Sequence, residues 1–137
     1  MPFVLDASVT MTWCFADEST PYSRSVLQLL LSTYAEVPPV WFFEVANVLA
    51  IGERKQRIAA ALSDEFMNVL SGLDIRIEQP TPPGTELLLL VTRYGLTAYD
   101  AAYLELAKRK GLALATFDSD LIKAASQENV ALLGRES

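Results

Sequence analysis

The sequence contains no histidine and only one cysteine, Cys14. A single cysteine cannot form an intramolecular disulfide or a multi-cysteine zinc site, and without histidine it lacks the usual basic partner of a cysteine nucleophile. The absence of histidine also excludes a Ser-His-Asp triad and removes the commonest general base. Cys14 is therefore interpreted as a small apolar side chain near Trp13 and Phe15. Any hydrolytic chemistry falls to carboxylates, lysines or a metal ion.

Positive charge is scarce as well, with 11 Lys and Arg residues against 17 Asp and Glu and a formal net charge of -6. This balance argues against broad electrostatic binding of nucleic acid, which usually shows as a basic surface. Two basic clusters stand out, one formed by Arg54, Lys55 and Arg57 and the other by residues 108–110. Each lies at the end of a predicted helix, where cations complement the helix dipole. Guidance of a phosphate backbone is the alternative role for either cluster.

Long apolar runs are missing, although hydrophobic residues make up 51% of the chain. The longest candidate, residues 37–51, falls short of the roughly 18 residues that a membrane span requires, and it carries Glu44 in its middle. No basic segment follows Met1, so a secretory signal is not predicted. We therefore expect a cytoplasmic protein without a membrane span. The length of 137 residues fits one domain, residues 1–137.

Short apolar strands alternate with helices along the chain. Strands are predicted at residues 3–5, 75–78, 112–116 and 130–133. One more strand is predicted to end at residue 37, where the chain leads into a helix. A brief helix through Trp13 and Cys14 is predicted from a cap at Ser8, and a second helix is predicted to start at Ser19 or Thr20, before Pro21. Further helices are predicted at residues 41–55, 59–73, 81–94, 97–110 and 118–127. This order predicts an α/β fold with a central, mostly parallel sheet of about five short strands and helices on both faces.

Four carboxylates lie in apolar surroundings. Asp6 and Asp118 each follow a predicted buried strand, Glu44 stands alone in an apolar helix, and Asp100 shares a buried helical stripe with Tyr103. An unpaired buried carboxylate is costly, so such groups are normally paired, hydrogen-bonded or bound to a metal. Strand ends and helix starts meet at one edge of an open α/β sheet, so all four can point into one cleft. Oxygen donors without His or Cys favour Mg²⁺ or Mn²⁺ over zinc.

Each acid also has a purely structural interpretation. Asp6 can cap the first helix, unless Ser8 takes that role and leaves Asp6 for a metal. Glu44 can form a buried salt bridge, which would need a basic partner from outside its own segment. Asp100 can interact with the dipole of its helix, although Thr97 already offers the cap. Asp118 competes with Asp120 to cap the last helix.

Four short motifs carry a resemblance to a known family. They are Asp6-Ala7-Ser8 after the first strand, Glu44-Val45-Ala46-Asn47 in an apolar helix, Leu96-Thr97-Ala98-Tyr99-Asp100-Ala101, and Thr116-Phe117-Asp118 after a later strand. With these motifs in this order, the chain resembles the PIN domains over essentially its whole length. Within them it is similar to the VapC-type ribonuclease toxins of prokaryotic toxin-antitoxin pairs.

The resemblance implies a PIN-like fold and metal-dependent endonucleolytic cleavage of RNA. It makes Asp6, Glu44, Asp100 and Asp118 both the catalytic residues and the ligands of Mg²⁺ or Mn²⁺. It also implies a small antitoxin protein as partner and a homodimer, for which the apolar residues of segments 26–31 and 59–73 offer a surface.

Four further residues are candidates for orienting the acids. Ser8 and Thr116 can hold carboxylates through their hydroxyls, a role that metal ligands commonly require, although turn chemistry explains them equally well. Asn47, one helical turn after Glu44, can face the same cleft or be a buried amide. Asp120 is a candidate auxiliary acid.

Two other functional classes are considered. A signalling receiver domain also gathers acids at a sheet edge, but it needs an acidic neighbour to the first Asp, and Asp6 has none. A catalytically inactive PIN-like module that binds protein or RNA is the closer alternative. Such modules have typically lost acids, whereas this sequence retains all four.

Overall fold

The computed structural model describes residues 1–79 and 84–134, and the predicted helix start at 81–83 lies outside them. The strands are β1 (Phe3–Leu5), β2 (Ala35–Val37), β3 (Ile75–Ile77) and β4 (Ala113–Ala115). The helices are α1 (Ala7–Thr10), α2 (Pro21–Leu29), α3 (Val40–Arg54), α4 (Ala60–Ser71), α5 (Gly84–Tyr94), α6 (Ala98–Lys110) and α7 (Ser119–Gln127). Two 3-10 turns, Met11–Trp13 and Ala16–Glu18, connect α1 to α2.

The four strands form one parallel sheet in the order β3-β2-β1-β4. The chain steps from β1 to β3 in one direction and then crosses back to place β4 on the other side of β1. Right-handed crossovers, the usual sense for parallel strands, put the helices between β1 and β3 on one face and α5 and α6 on the other. The predicted α/β class with a parallel sheet is confirmed. The reversal also makes the carboxyl ends of β1 and β4 the place where ligands bind in such folds.

The fifth predicted strand, at residues 130–133, is reduced to a single parallel bridge between Leu132 and Leu114. Its backbone pairs with β4 on both sides of that bridge, through Leu114 N to Ala131 O and Leu133 N to Leu114 O, both at 2.9 Å. Left-handed backbone at Asn129 and Gly134 turns the chain immediately before and after the segment. The described sheet therefore has four strands instead of about five.

Helix α6 lies at the centre of the molecule. Its residues from Ala101 to Ala107 are all buried, because the helix packs against β1, β4, α5 and α7. The Thr97 side chain accepts a hydrogen bond from the Asp100 N–H and caps its start, as predicted. At its other end Gly111 adopts a left-handed conformation with φ +66°, which glycine accommodates without strain. This burial fixes the position of every side chain that α6 directs toward the sheet edge.

Within residues 1–79 and 84–134, none of the helices combines the length and the apolar character that a membrane span requires.

Candidate active site

A cleft of about 620 Å³ opens at the carboxyl ends of β1 and β4. All four predicted acids line it, together with side chains from the first turns of the chain. The full lining is Asp6, Ala7, Ser8, Met11, Thr12, Glu18, Thr20, Glu44, Val48, Asp100, Phe117 and Asp118. We call this space the acidic cleft. It contains five carboxylates, and neither Lys nor Arg belongs to the described residues that line it.

Asp6 is held by two hydroxyl groups. Its backbone N–H continues the pairing of β1 with β4 by donating to Ala115 O at 3.0 Å. Its side chain is almost fully buried, and Oδ2 accepts hydrogen bonds from Ser8 Oγ and Thr116 Oγ1, each at 2.7 Å. Hydroxyl donors stabilise a buried carboxylate without neutralising its charge. The geometry thus places Ser8 and Thr116 on Asp6.

The prediction that Ser8 caps the first helix is wrong. Asp6 occupies the N-cap position of α1, and no side-chain capping bond forms there. Ser8 lies inside the helix, so its hydroxyl turns back to Asp6 and also accepts a hydrogen bond from Phe117 N at 3.0 Å. These two hydrogen bonds of Ser8 connect the loop after β4 to α1 and to the end of β1.

Asp118 both caps α7 and lines the acidic cleft, two roles that are alternatives in the prediction from the sequence. Its Oδ1 accepts a hydrogen bond from Leu121 N at 2.9 Å and caps α7, while the same side chain lines the acidic cleft. The Asp118 N–H is fixed in turn by Thr116 Oγ1 at 3.0 Å. Asp120 is exposed in the first turn of α7 and is not part of the cleft lining.

Glu44 lies on α3, lines the cleft and is hydrogen-bonded to a tyrosine instead of paired with a cation. Tyr103 Oη donates to Glu44 Oε1 at 2.5 Å, and among the described residues Glu44 has no ion pair. The salt-bridge interpretation of Glu44 is therefore not what the structure shows. Asn47, one turn further along α3, is exposed and does not belong to the cleft lining.

The surroundings of Asp6, Glu44 and Asp100 raise the pKa of each of these three carboxyl groups. Burial raises the pKa of Asp100 to about 6, and the charges of Asp118 and Asp6 add to the effect. Burial also raises the pKa of Glu44, against the lowering effect of the Tyr103 hydrogen bond. For Asp6, burial raises the pKa and the bonds from Thr116 and Ser8 oppose it. Like charges that share a poorly solvated space resist joint ionisation, so a cation in the cleft would be stabilised.

Tyr103 stays protonated beside these acids. Burial raises the pKa of its hydroxyl, and the charges of Asp6 and Glu44 raise it further. The hydroxyl is therefore a permanent hydrogen-bond donor to Glu44.

The donor set fits Mg²⁺ or Mn²⁺, since it consists of carboxylate oxygens without nitrogen or sulfur. Among the described residues, no side chain donates to Asp6 Oδ1, Glu44 Oε2 or Asp118 Oδ2, which leaves one oxygen of each acid to an ion or its waters. No three of the described acidic side chains approach one another closely enough to hold one ion directly. Mg²⁺ usually retains several waters and takes only one or two protein carboxylates, so such spacing does not exclude it.

The second basic cluster is neutralised by ion pairs, and in the first cluster only Arg57 is paired. Arg57 pairs with Asp17 and Glu18. Residues 108–110 pair with Glu36, Glu78, Glu105 and Glu128. Arg54 and Lys55 form no ion pair with the described residues, but they lie about 15 Å along α3 from Glu44.

Tyr103, which contacts Glu44, and the lining residues Glu18 and Phe117 are not predicted as site residues from the sequence. Tyr103 is recognised there only as part of a buried stripe, and Glu18 and Phe117 receive no role. A buried tyrosine needs a partner for its hydroxyl, and Tyr103 lies one turn after Asp100, so that signal was available for Tyr103. Nothing comparable distinguishes Glu18 or Phe117 in the sequence.

Known proteins resemble this chain in sequence. The family model of the PIN domain matches residues 3–127. The curated protein named Exonuclease VapC9, from Pyrobaculum aerophilum, is 36% identical over 81 residues, which span 58% of this chain and 59% of that protein.

Solved structures share the fold. PAE2754 from Pyrobaculum aerophilum superposes with a TM-score of 0.69 at 26% identity, covering 90% of this chain and 87% of that one. VapBC2 from Rickettsia felis, solved with a DNA fragment from its promoter, gives a TM-score of 0.69 at 14% identity, covering 99% of this chain and 100% of that one. FitAcB from Neisseria gonorrhoeae gives 0.56 at 21% identity, with 96% of each chain covered. The match over residues 3–127, the fold and the four acids at the sheet edge agree: the chain belongs to the PIN domain family.

Proposed function

We propose that this protein is a metal-dependent endoribonuclease and the toxin of a type II toxin-antitoxin pair. The observation that carries the proposal is the acidic cleft, in which Asp6, Glu44, Asp100 and Asp118 meet without a neutralising Lys or Arg among the described lining residues. A nuclease with an anionic substrate needs positive charge at the reaction centre, and a divalent cation is the chemistry that such carboxylates accept. The relative named Exonuclease VapC9 supports nuclease activity.

The four acids are the residues that would hold Mg²⁺ or Mn²⁺. When bound, such an ion supplies a water of lowered pKa and neutralises charge on the phosphodiester. The chain prepares the site by fixing Asp6 through Ser8 and Thr116 and by fixing Asp118 through its capping bond. Apolar side chains of Met11, Val48 and Phe117 line the cleft beside the acids. They reduce the polarity around the charges and strengthen electrostatic interactions there.

RNA as substrate rests on the resemblance to VapC-type toxins and not on a particular contact. Because residues 108–110 are engaged in ion pairs, guidance of the RNA backbone falls to Arg54 and Lys55 if this chain supplies it. The low number of available cations predicts that RNA binding depends more on the divalent ion than on monovalent salt.

The partner surface proposed for the antitoxin is an apolar groove next to the acidic cleft. It lies between the two 3-10 turns and α4, and its lining includes Phe15, Ile58, Leu62 and Phe66. Arg57 borders the groove and pairs with Glu18, which lines the cleft, so the two spaces adjoin. An amphipathic antitoxin segment would occupy the groove and place a basic side chain among the acids. Antitoxin binding and metal occupancy should then compete.

A homodimer through the exposed apolar side chains of α2 and α4 is part of the same proposal. Leu31, just after α2, and Leu62 and Val69 on α4 are 87%, 54% and 55% exposed. Because Leu62 and Val69 also line the apolar groove, the dimer and the antitoxin segment would compete for this part of α4. Sedimentation at tens of micromolar would detect the dimer, and a monomer alone would contradict it.

The activity is tested most sharply with a closed circular RNA, because only an endonuclease can cut a substrate without ends. Wild-type protein should linearise it in Mg²⁺ or Mn²⁺, EDTA should stop the reaction, and Asp6→Asn should be inactive. Cleavage of linear RNA alone would indicate an exonuclease. Binding of either RNA without cleavage would indicate the alternative, a catalytically inactive PIN-like module.

A further inference from the structure

Tyr103 lies one helical turn after Asp100 on α6 and contacts Glu44, which lines the acidic cleft. Its side chain is fully buried, and its hydroxyl donates a hydrogen bond to Glu44 Oε1 at 2.5 Å. The ring therefore has one position, and that position directs the hydroxyl to a single carboxylate oxygen.

Glu44 depends on this contact for its own position. Its side chain has three rotatable bonds and is only half-buried, so packing alone does not hold it. Asp6 and Asp118 are each fixed by donors from neighbouring loops, but no other described side chain donates to Glu44. Nor does any other side-chain hydrogen bond among the described residues join α3 to α6.

We propose that Tyr103 is a positioning residue, which holds Glu44 Oε1 from α6 and thereby presents Glu44 Oε2 to a divalent cation in the acidic cleft. The proposal rests on the metal-dependent function proposed above. Groups that hold a ligating carboxylate commonly change metal affinity by 10-fold to 100-fold when they are removed. Since one hydrogen bond is lost here, the lower end of that range is the expectation.

Tyr103→Phe is the direct test, because it keeps the buried ring and removes only the hydroxyl. The chain offers a matched control in Tyr94, whose hydroxyl donates to the Glu128 carboxylate, since neither residue belongs to the described lining of the cleft. Binding of Mn²⁺ alone is measured by titration calorimetry at pH 7.5, with circular dichroism as the check on folding. Tyr103→Phe should weaken Mn²⁺ affinity about 10-fold, whereas Tyr94→Phe should stay within twofold of the wild type.

A second measurement separates positioning from a general loss of structure. In a Glu44→Ala background, Tyr103→Phe should cause no further change in Mn²⁺ affinity, measured as free Mn²⁺ by electron paramagnetic resonance. A merely structural role would weaken binding in both backgrounds. In the nuclease assay, raising Mn²⁺ to saturation should restore the rate of Tyr103→Phe, which a misfolded cleft would not allow.

The outcomes distinguish the two proposals. If the wild type binds Mn²⁺ and Tyr103→Phe binds it within twofold as well, the positioning role is overturned while the metal site stands. Equal weakening in the Glu44→Ala background overturns it too. If the wild type binds no Mn²⁺, the proposed function fails and the positioning role fails with it.

Discussion

Acidic side chains near the two ends of α6 differ in whether they have a cationic partner. At the start of the helix, Asp100 faces the acidic cleft, where the four predicted acids have hydroxyl and amide donors as neighbours but form no ion pair with a described cation. About 14 Å further along, residues 108–110 neutralise a second group of acids. These paired acids are Glu36, Glu78, Glu105 and Glu128.

The pKa values reflect this difference. Lys108, Tyr94 and Arg93 all contact Glu128, and they lower its pKa to about 2, with Lys108 as the largest cause. Burial and neighbouring acids raise the pKa of Asp100 to about 6. An acid with its own cation contributes to folding, whereas an acid without one is destabilising until a cation arrives. The comparison indicates that the paired acids serve stability and that the acidic cleft is built for an external cation.

The largest expected effect is on catalysis. Glu44→Gln removes one negative charge from the cleft and should reduce RNA cleavage by about 100-fold or more, since it alters a proposed metal ligand. Glu128→Gln is the matched change among the paired acids and should keep the wild-type rate within twofold at a temperature where the variant is folded. Equal losses in the two variants would remove the distinction between the regions.

For the free energy of unfolding, the change among the paired acids should have the larger effect. Glu128→Gln loses charge-assisted hydrogen bonds and should lower the free energy of unfolding by about 2 kcal/mol at pH 7, measured in urea. The folded pKa of Glu128 lies below its unfolded value, so this contribution is present above pH 4.5 and is lost as the pH falls toward 2. The penalty should accordingly shrink at pH 3. Asp64→Asn, an exposed acid on α4, serves as the control and should change stability little.

Metal binding should depend on pH through the raised pKa of Asp100. With that pKa at about 6, the ionised fraction of Asp100 falls about tenfold between pH 7 and pH 5, and Mn²⁺ affinity should fall by a similar factor. Calorimetric titration at both pH values measures this. Asp100→Asn should bind Mn²⁺ more weakly but with a flatter pH dependence. A wild-type affinity that is constant between pH 8 and pH 5 would contradict the clustering of the acids.

The smallest expected effect is a gain of stability in the metal-free protein. Asp100→Asn removes a charge that the folded state disfavours, and it should raise the free energy of unfolding in EDTA at pH 7.5 by about 1 kcal/mol, after allowance for solvent screening of a half-exposed group. The folded pKa is above the unfolded one, so the cost grows as pH rises from about 4 to 6. The gain should shrink to about a third at pH 4.5 and nearly vanish at about pH 3.5. A destabilised variant at pH 7.5 would count against an unneutralised cleft.

Local sequence signals predict the acids and the fold well. Asp6 and Asp118 follow apolar runs that can only be short buried strands, and parallel strands bring such ends to one edge. Thr97 and Gly111 mark the ends of α6 by their chemistry alone, and both predictions are confirmed. These features depend on neighbours within a few residues, which a single sequence displays.

The remaining features depend on contacts between distant segments. Tyr103 and Glu44 are 59 residues apart, and Lys110 and Glu36 are 74 apart, so neither pairing has a local signal. Composition therefore does not show which acids form ion pairs and which ones line the cleft. Asp118 shows a different limit, because the sequence suggests one role for each side chain while this one both caps a helix and lines the cleft.

The central claim is that the acidic cleft, and not the paired acids, accepts a divalent cation. Titration of Mn²⁺ into metal-free wild type, Asp6→Asn and Glu128→Gln at pH 7.5 tests it most directly. The account predicts millimolar or tighter binding to the wild type, clearly weaker binding to Asp6→Asn, and unchanged binding to Glu128→Gln. Absence of binding to the wild type, or equal binding to the wild type and Asp6→Asn, would contradict it.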